Sequence, residues 1–254
     1  MSWEIVLMGL FVGFLVGLTG VGGASLLTPI LLIIGVNPSM AVGTDLLYNS
    51  ITKFFGTIQH WRQKTIDFQL VKNLAYGSIP GSIIAVGLLF LYGQYFDNSE
   101  TILKHVLGFI LITVSLITLA RQLFEKKLGE NPWQLKPLAD KKLILIIAGV
   151  VLGFVVGLTS VGSGSLFAIV LLYFFRMSGS QLVGTDIAHA FFLVTVAAVL
   201  HSTMGNVDYG LVFNLLAGSI PGVLVGSTLS AKVPSKPLRT ILAALLLFSG
   251  IKLI

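Results

Sequence analysis

The chain has 254 residues, 55% of them hydrophobic and 10% charged, with a mean hydropathy of +0.96 and a formal net charge of +6. A soluble domain carries about 25% charged residues, so a chain this poor in charge is an integral membrane protein. The absence of cysteine excludes disulfides, thiolate nucleophiles and thiolate metal sites. The basic residues fall in short loops, where they set membrane orientation, and do not form a nucleic-acid-binding pattern.

Met1-Ser2-Trp3-Glu4 has no cationic leader, so the first apolar stretch reads as mature structure. Apolar blocks follow at 5–35, 39–60, 68–96 and 101–124, then at 142–175, 180–203, 209–231 and 238–254. The first block of each set is too long for one straight span and carries a glycine break, near Gly20–Gly23 or Ser160–Gly164. Arms of roughly 12 to 18 residues, at 1.5 Å per residue, fall short of a ~30 Å hydrocarbon core. Two half-spanning arms, two short tilted helices, or one kinked helix would each fit.

The two sets of blocks are copies. Residues 13–26 (GFLVGLTGVGGASL) and 153–166 (GFVVGLTSVGSGSL) are identical at 10 of 14 positions. At an offset of 141, Val42-Gly43-Thr44-Asp45 recurs as Val183-Gly184-Thr185-Asp186, His60 as His201, Asp67 as Asp208 and Asn73 as Asn214. Gly77-Ser78-Ile79-Pro80-Gly81 recurs as Gly218-Ser219-Ile220-Pro221-Gly222. Duplication of a glycine-broken, polar-dotted unit is a common plan among secondary transporters.

Loop charges choose a topology. The linker carries Arg121, Lys126, Lys127, Lys136, Lys141 and Lys142, which places it in the cytoplasm. If the 142–175 block starts and ends on one side, every short basic loop (Arg62/Lys64, Arg176, Lys232–Arg239) is cytoplasmic and both termini are external. A single crossing would put the Lys232–Arg239 cluster outside. The expected architecture is therefore an all-α polytopic membrane protein of two inverted structural repeats. Each repeat is a glycine-broken first hairpin plus three membrane helices, 8–10 helical segments in total. Residues 1–124 form the first repeat, 125–141 a basic cytoplasmic linker and 142–254 the second repeat.

An ionisable group inside a membrane helix costs at least ~2.5–3.5 kcal/mol on insertion scales, so it is a functional candidate by default. Asp45, Asn49 and Lys53 share one helical face, and Asp186 has His189 at i+3. Asp45, Asp186 and His189 are candidates for proton exchange, and Asn49 and Lys53 for substrate contact. The bland alternative is an aspartate capping a helix start or paired with Lys53. In each glycine break an arm beginning at the turn would aim free N–H groups and a positive dipole end at the protein's middle. Gly22, Gly23 and Ser25 beside Thr19, with Gly162, Ser163, Gly164 and Ser165, are thus a candidate anion site. Close helix packing through small residues is the alternative reading. Pro80 and Pro221 are expected hinges or helix breaks. His60 and His201 end their blocks and are expected at the interface; Trp3, Trp61 and Trp133 read as interfacial anchors. There is no Walker A sequence, no metal-ligand spacing and no nucleophile triad, so neither an enzyme nor a cofactor is indicated.

The paired Gly-Leu-Thr-x-Val-Gly-[Gly/Ser], Val-Gly-Thr-Asp and Gly-Ser-Ile-Pro-Gly motifs resemble the TauE/SafE family, the sulfite exporter or toluenesulfonate uptake family, over essentially the whole chain. The resemblance implies a prokaryotic cytoplasmic-membrane permease for small sulfur-containing anions such as sulfite, thiosulfate or organosulfonates, coupled to a proton gradient. On that reading the two halves rock about a central anion site, with the substrate, protons and the lipid bilayer as partners and no role for nucleic acid. Oligomeric state is not legible. A passive anion channel and a membrane-embedded enzyme or assembly factor are the other classes considered. This chain departs from internal symmetry where Lys53 faces Val194, Asn49 faces Ala190 and Gly23 faces Ser163.

Overall fold

The computed structural model describes residues 3–19, 26–95, 99–124, 132–229 and 235–254. Those residues form eleven helices and no strand: α1 (Trp3–Thr19), α2 (Leu27–Ile33), α3 (Pro38–Arg62), α4 (Phe68–Tyr95), α5 (Ser99–Phe124), α6 (Pro132–Leu135), α7 (Leu138–Thr159), α8 (Ser165–Phe174), α9 (Gly179–Thr203), α10 (Tyr209–Leu229) and α11 (Ser235–Leu253). Ten of them are the repeat counterparts α1/α7, α2/α8, α3/α9, α4/α10 and α5/α11. The eleventh, α6, is one turn within the expected linker, and α7 also begins inside that linker, at Leu138.

Five helices are long and apolar enough to cross a membrane, at Phe68–Tyr92, Thr101–Ala120, Leu138–Thr159, Gly179–Thr203 and Tyr209–Gly226. This is a multi-pass membrane protein. Its outward face is oily: Ile83, Ile84, Leu88 and Leu91 of α4 and Phe213, Leu224 and Val225 of α10 are exposed, as lipid contact requires.

The elements start where local chemistry dictates. Asn37 caps α3 by accepting the Ser39 N–H at 2.9 Å, with Pro38 at the first helical position. Ser178 and Gln181 form a capping box on α9. Asp67 Oδ1 accepts the N–H groups of Gln69 and Leu70, and Asp208 Oδ1 that of Leu211, so these repeated aspartates cap α4 and α10.

In the second repeat the broken first block is a hairpin. α7 ends at Ser160, which takes a left-handed φ of 61°, and Gly162 follows at 96°. At the far end of the block, Lys141 Nζ donates to the Phe174 carbonyl at 2.8 Å and Gln134 Nε2 to that of Leu172 at 3.0 Å. The last turn of α8 therefore lies beside the first turns of α7. The arms are unequal and both fall outside the expected span of roughly 12 to 18 residues. α7 has 22 residues and α8 has 10, roughly 33 and 15 Å at the helical rise. In the first repeat α1 has 17 residues and α2 has 7. Lys141, counted above among the loop charges, is buried under the Phe175 ring and satisfies carbonyls at the end of α8.

The repeats are interleaved. The most extensive helix contacts are α1 with α10, α4 with α7, α3 with α9 and α5 with α11, each joining one repeat to the other. A Cβ added at Gly9 or Gly13 would strike the backbone of Leu215 or Ser219, and one at Gly149 or Gly153 that of Leu74 or Ser78. The contact numbers rise together, so α1 runs parallel to α10, and α7 parallel to α4. Small residues let these backbones touch, which is how helices associate strongly in lipid. By contrast Ser50 meets Thr195 while Gly56 meets Ile187, and Gly108 meets Gly250 while Ser115 meets Ala243. The counterparts α3/α9 and α5/α11 therefore run antiparallel.

Both expected proline hinges lie within unbroken helices. α4 and α10 continue through Pro80 and Pro221, whose side chains are exposed on the outer face. Of the two expectations at these positions, the helix break is not found. Of the paired histidines in the last turns of α3 and α9, His201 is fully buried, its Nε2 3.1 Å from the Gly157 carbonyl oxygen, whereas His60 is half-buried against Thr65.

Candidate functional site

The polar groups singled out from sequence converge along α3 and α9. Asp45, Asn49 and Lys53 follow one another at helical spacing on α3, and all three are buried. Asp45 accepts from Thr28 Oγ1, in the first turn of α2, and from Asn49 Nδ2. The fully buried Ser160, at the end of α7, faces the same carboxylate. Neither aspartate caps a helix: α3 starts seven residues before Asp45 at Pro38, and α9 starts at Gly179, well ahead of Asp186. The capping alternative is thereby removed.

Lys53 does not hydrogen-bond to Asp45. Its Nζ donates to Ser163 Oγ at 2.8 Å, in the turn that leads into α8, and lies within electrostatic reach of both Asp45 and Asp186. Gly164 and Ser165 open α8 beside it, and no side chain caps that helix. Its first peptide N–H groups and positive dipole end thus start from the turn that Lys53 holds. Gly162 supplies the left-handed turn. His189 Nε2 lies 2.8 Å from Ser78 Oγ on α4, and its ring packs 4.3 Å from that of Phe167 on α8. Ser50 Oγ and Thr195 Oγ1, 2.7 Å apart, close the seam between α3 and α9.

Asp45, Asn49, Lys53, Ser163, Asp186 and His189 are accordingly one buried constellation. Of the first glycine break, Gly22, Gly23 and Ser25 lie outside the described residues, as does the Thr19 side chain. Thr28, Ser78 and Ser160 belong to the constellation and escaped the sequence reading. Ser78 stands inside the Gly-Ser-Ile-Pro-Gly motif, where the expectation attaches to Pro80. Thr28 had no repeat partner of its type to mark it.

The constellation is asymmetric in a way the repeat makes measurable. Tyr48 occupies the position equivalent to His189, and Ser219 that of Ser78; both are fully buried and the Tyr48 hydroxyl faces Ser219. One repeat thus offers an imidazole and the other a phenol at the same place. Among the described residues, no group of His, Asp or Glu could hold a metal ion.

Residues 5–253 match the family described as Sulfite exporter TauE/SafE. The chain is 59% identical to "Probable membrane transporter protein YjnA" of Bacillus subtilis (strain 168), with all of both chains covered. It is 26% identical to "Probable membrane transporter protein YunE" of the same organism, covering 98% of this chain and 96% of the other. It is 25% identical to "Probable membrane transporter protein MJ0441" of Methanocaldococcus jannaschii, covering 97% and 93%. No solved structure matches. With its buried ionisable seam and interleaved duplicated helices, the chain belongs to the TauE/SafE sulfite exporter family of membrane transporters.

Proposed function

We propose that this transporter is a secondary permease for small sulfur-containing anions such as sulfite, thiosulfate or organosulfonates, coupled to protons. The observation that carries the reading is the meeting of Lys53 with Ser163 and the uncapped start of α8. A buried cation, a hydroxyl and peptide N–H groups are the donors that an oxyanion takes.

Charge counting supports the coupling. With Asp45, Asp186 and Lys53 all ionised the constellation carries one net negative charge, so an incoming anion meets repulsion unless a carboxylate takes up a proton. Binding of anion and proton then favour each other, which is the thermodynamic content of coupled transport.

Antiparallel packing of α3 against α9 and of α5 against α11 supports inverted repeats, because counterparts that both cross the bilayer do so in opposite directions. A first block that crossed only once would leave α3 and α9 parallel. We infer that alternating access does not rock one sequence half against the other. The backbone contacts of α1 with α10 and of α4 with α7 tie each half to its partner, so these pairs move as units and the α3–α9 seam opens.

The test is flux of radiolabelled sulfite, thiosulfate and methanesulfonate into proteoliposomes, with and without a pH gradient. Gradient-driven accumulation is expected; no flux of any sulfur anion overturns the reading. A passive channel would keep its flux when Asp45→Asn and Asp186→Asn are combined.

A further inference from the structure

The two ends of the α3–α9 seam have the same backbone plan and different chemistry. At one end the loop after α3 and the loop after α8 line a single cavity of about 420 Å³, which includes Lys64, Thr65, Asp67, Phe175, Arg176 and Met177. The shared cavity places both loops on one face, the face to which loop charges assign the cytoplasm. At the other end stand the counterpart loops after α9 and after α2. At the common offset of 141, Gly205 takes the place of Lys64 and Gly35 that of Arg176.

Lys64 pays a conformational penalty for its position. Its φ is 55°, in the left-handed region, and its counterpart Gly205 has a φ of 74°. The turn demands that geometry, and glycine is the residue that adopts it without strain. Orientation in the membrane needs only a basic loop, and a lysine in place of Gln63, whose φ is −78°, would carry the charge without strain. The lysine at the left-handed position and Arg176 both line the cavity.

We propose that this cavity is a capture site for the transported oxyanion, a vestibule that loads the buried constellation from one face only. Lys64 and Arg176 supply the charge. The Asp67 carboxylate also lines the cavity, its Oδ1 accepting the N–H groups of Gln69 and Leu70, so the two cations and this carboxylate together carry one net positive charge. Lys104 and Lys252, on the opposite face, line a separate, narrower cavity of about 80 Å³ against the end of α2, where Lys252 Nζ reaches the Ile33 carbonyl at 3.3 Å. Paired cations at a concave mouth concentrate anions there and raise their rate of arrival, an effect that salt suppresses. The proposal rests on the transporter reading for the identity of the anion, and its test does not need transport.

The cysteine-free chain allows single thiols at equivalent places, Met177→Cys in the basic mouth and Val36→Cys at the other. In detergent, each is labelled with sulfonatoethyl methanethiosulfonate, which is anionic and itself a sulfonate, and with its cationic trimethylammonium analogue. The anionic-to-cationic rate ratio should be about tenfold higher at the Met177→Cys thiol. Methanesulfonate should slow that labelling saturably. Lys64→Gly with Arg176→Gly, which copies the other mouth and relieves the strained turn, should bring the ratio down to that of Val36→Cys. Equal ratios at the two thiols, a ratio that the double glycine variant leaves unchanged, or anion-selective labelling that methanesulfonate does not slow would each overturn the proposal. Absence of sulfur-anion flux in proteoliposomes would instead overturn the transport reading and leave the labelling result to decide the vestibule.

Discussion

Thr44 Oγ1 accepts the backbone N–H of Asp208 at 3.0 Å, and its repeat counterpart Thr185 accepts that of Asp67, also at 3.0 Å. The two bonds tie the start of α3 to the cap of α10 and the start of α9 to the cap of α4. They assign every polar letter of the Val-Gly-Thr-Asp motif. The glycine lets the opposing loop approach, since a Cβ at Gly43 would strike the Asn206 carbonyl and one at Gly184 would strike Thr65. The threonine makes the inter-repeat bond, and the aspartate one residue later turns into the buried seam.

Replacing Thr185 by Val should cost about 1–3 kcal/mol, because it leaves the Asp67 N–H without its acceptor. Thr44→Val should cost a similar amount, and the two sites are far enough apart for the losses to add. Thermal unfolding in detergent checks this. Equal stability of the double variant and the parent would contradict the role given to these hydroxyls.

Gly153→Ala should destabilise by at least about 1–3 kcal/mol, since the new methyl falls on the backbone of Ser78 where α7 and α4 touch. Gly87→Ala, on α4, is the control. It has open space around it, so the change should be neutral or stabilising by up to ~1 kcal/mol. Parallel measurement of folded yield and melting temperature distinguishes them; similar losses at both sites would argue against the interlock.

Lys53→Met should weaken anion binding, raising the half-saturating concentration at least about thirtyfold. Truncating a hydrogen-bonded buried charge typically costs 2–5 kcal/mol or more in ligand affinity. Ser163→Ala removes a hydroxyl that bonds the Lys53 ammonium and should cost less, about 1.5–3 kcal/mol. Equilibrium binding of radiolabelled methanesulfonate to purified protein measures both. A Lys53→Met protein with parental affinity would move the anion site elsewhere.

Asp186→Asn and Asp45→Asn remove the negative charges that oppose an entering anion. Each variant should therefore bind the anion with a weaker dependence on pH, and the double variant should lose gradient-driven accumulation of the anion. The sign follows from the charge count: in the parent, lower pH should tighten anion binding. Binding curves collected across the pH range check it, and tighter binding at high pH would reverse the proposed coupling.

His189→Gln keeps a hydrogen-bonding group near Ser78 but removes a titratable ring. If His189 exchanges protons during the cycle, coupled flux should fall at least about tenfold with melting temperature nearly unchanged. Ser78→Ala then separates positioning from titration, since it leaves the imidazole and deletes its partner. Unaltered flux in His189→Gln would reduce the residue to packing against Phe167.

Much of the architecture was legible because its signals are local or repeated. Apolar block lengths marked the helices, and self-similarity at a fixed offset marked the halves. The loop charges favoured a hairpin over a single crossing, in agreement with the contacts of Lys141 and Gln134 at the end of α8. The arm lengths were misjudged because α7 starts in polar sequence at Leu138, ahead of the apolar block, and because the turn at Ser160–Gly164 uses residues that could equally have been helical. Asp45, Asn49, Lys53, Asp186 and His189 stood out because charge and amide groups are costly in lipid. Thr28 and Ser160 did not, since a hydroxyl inside a helix satisfies itself on its own backbone and carries no such signal.

By itself, the sequence determined that this is a duplicated, all-helical membrane protein with ionisable groups in its spans. Those are properties of composition, periodicity and repetition, which need no knowledge of which helix meets which. Only the tertiary structure decided that the halves interleave, that Lys53 reaches Ser163 from the other repeat and leaves Asp45 to Thr28 and Asn49, and that Lys64 and Arg176 share one cavity. Each of these is a pairing between residues more than a hundred positions apart, except the contacts of Asp45 with Thr28 and Asn49. Such pairings depend on backbone approach at glycines such as Gly13 and Gly153, whose missing side chains give a sequence reader nothing to pair.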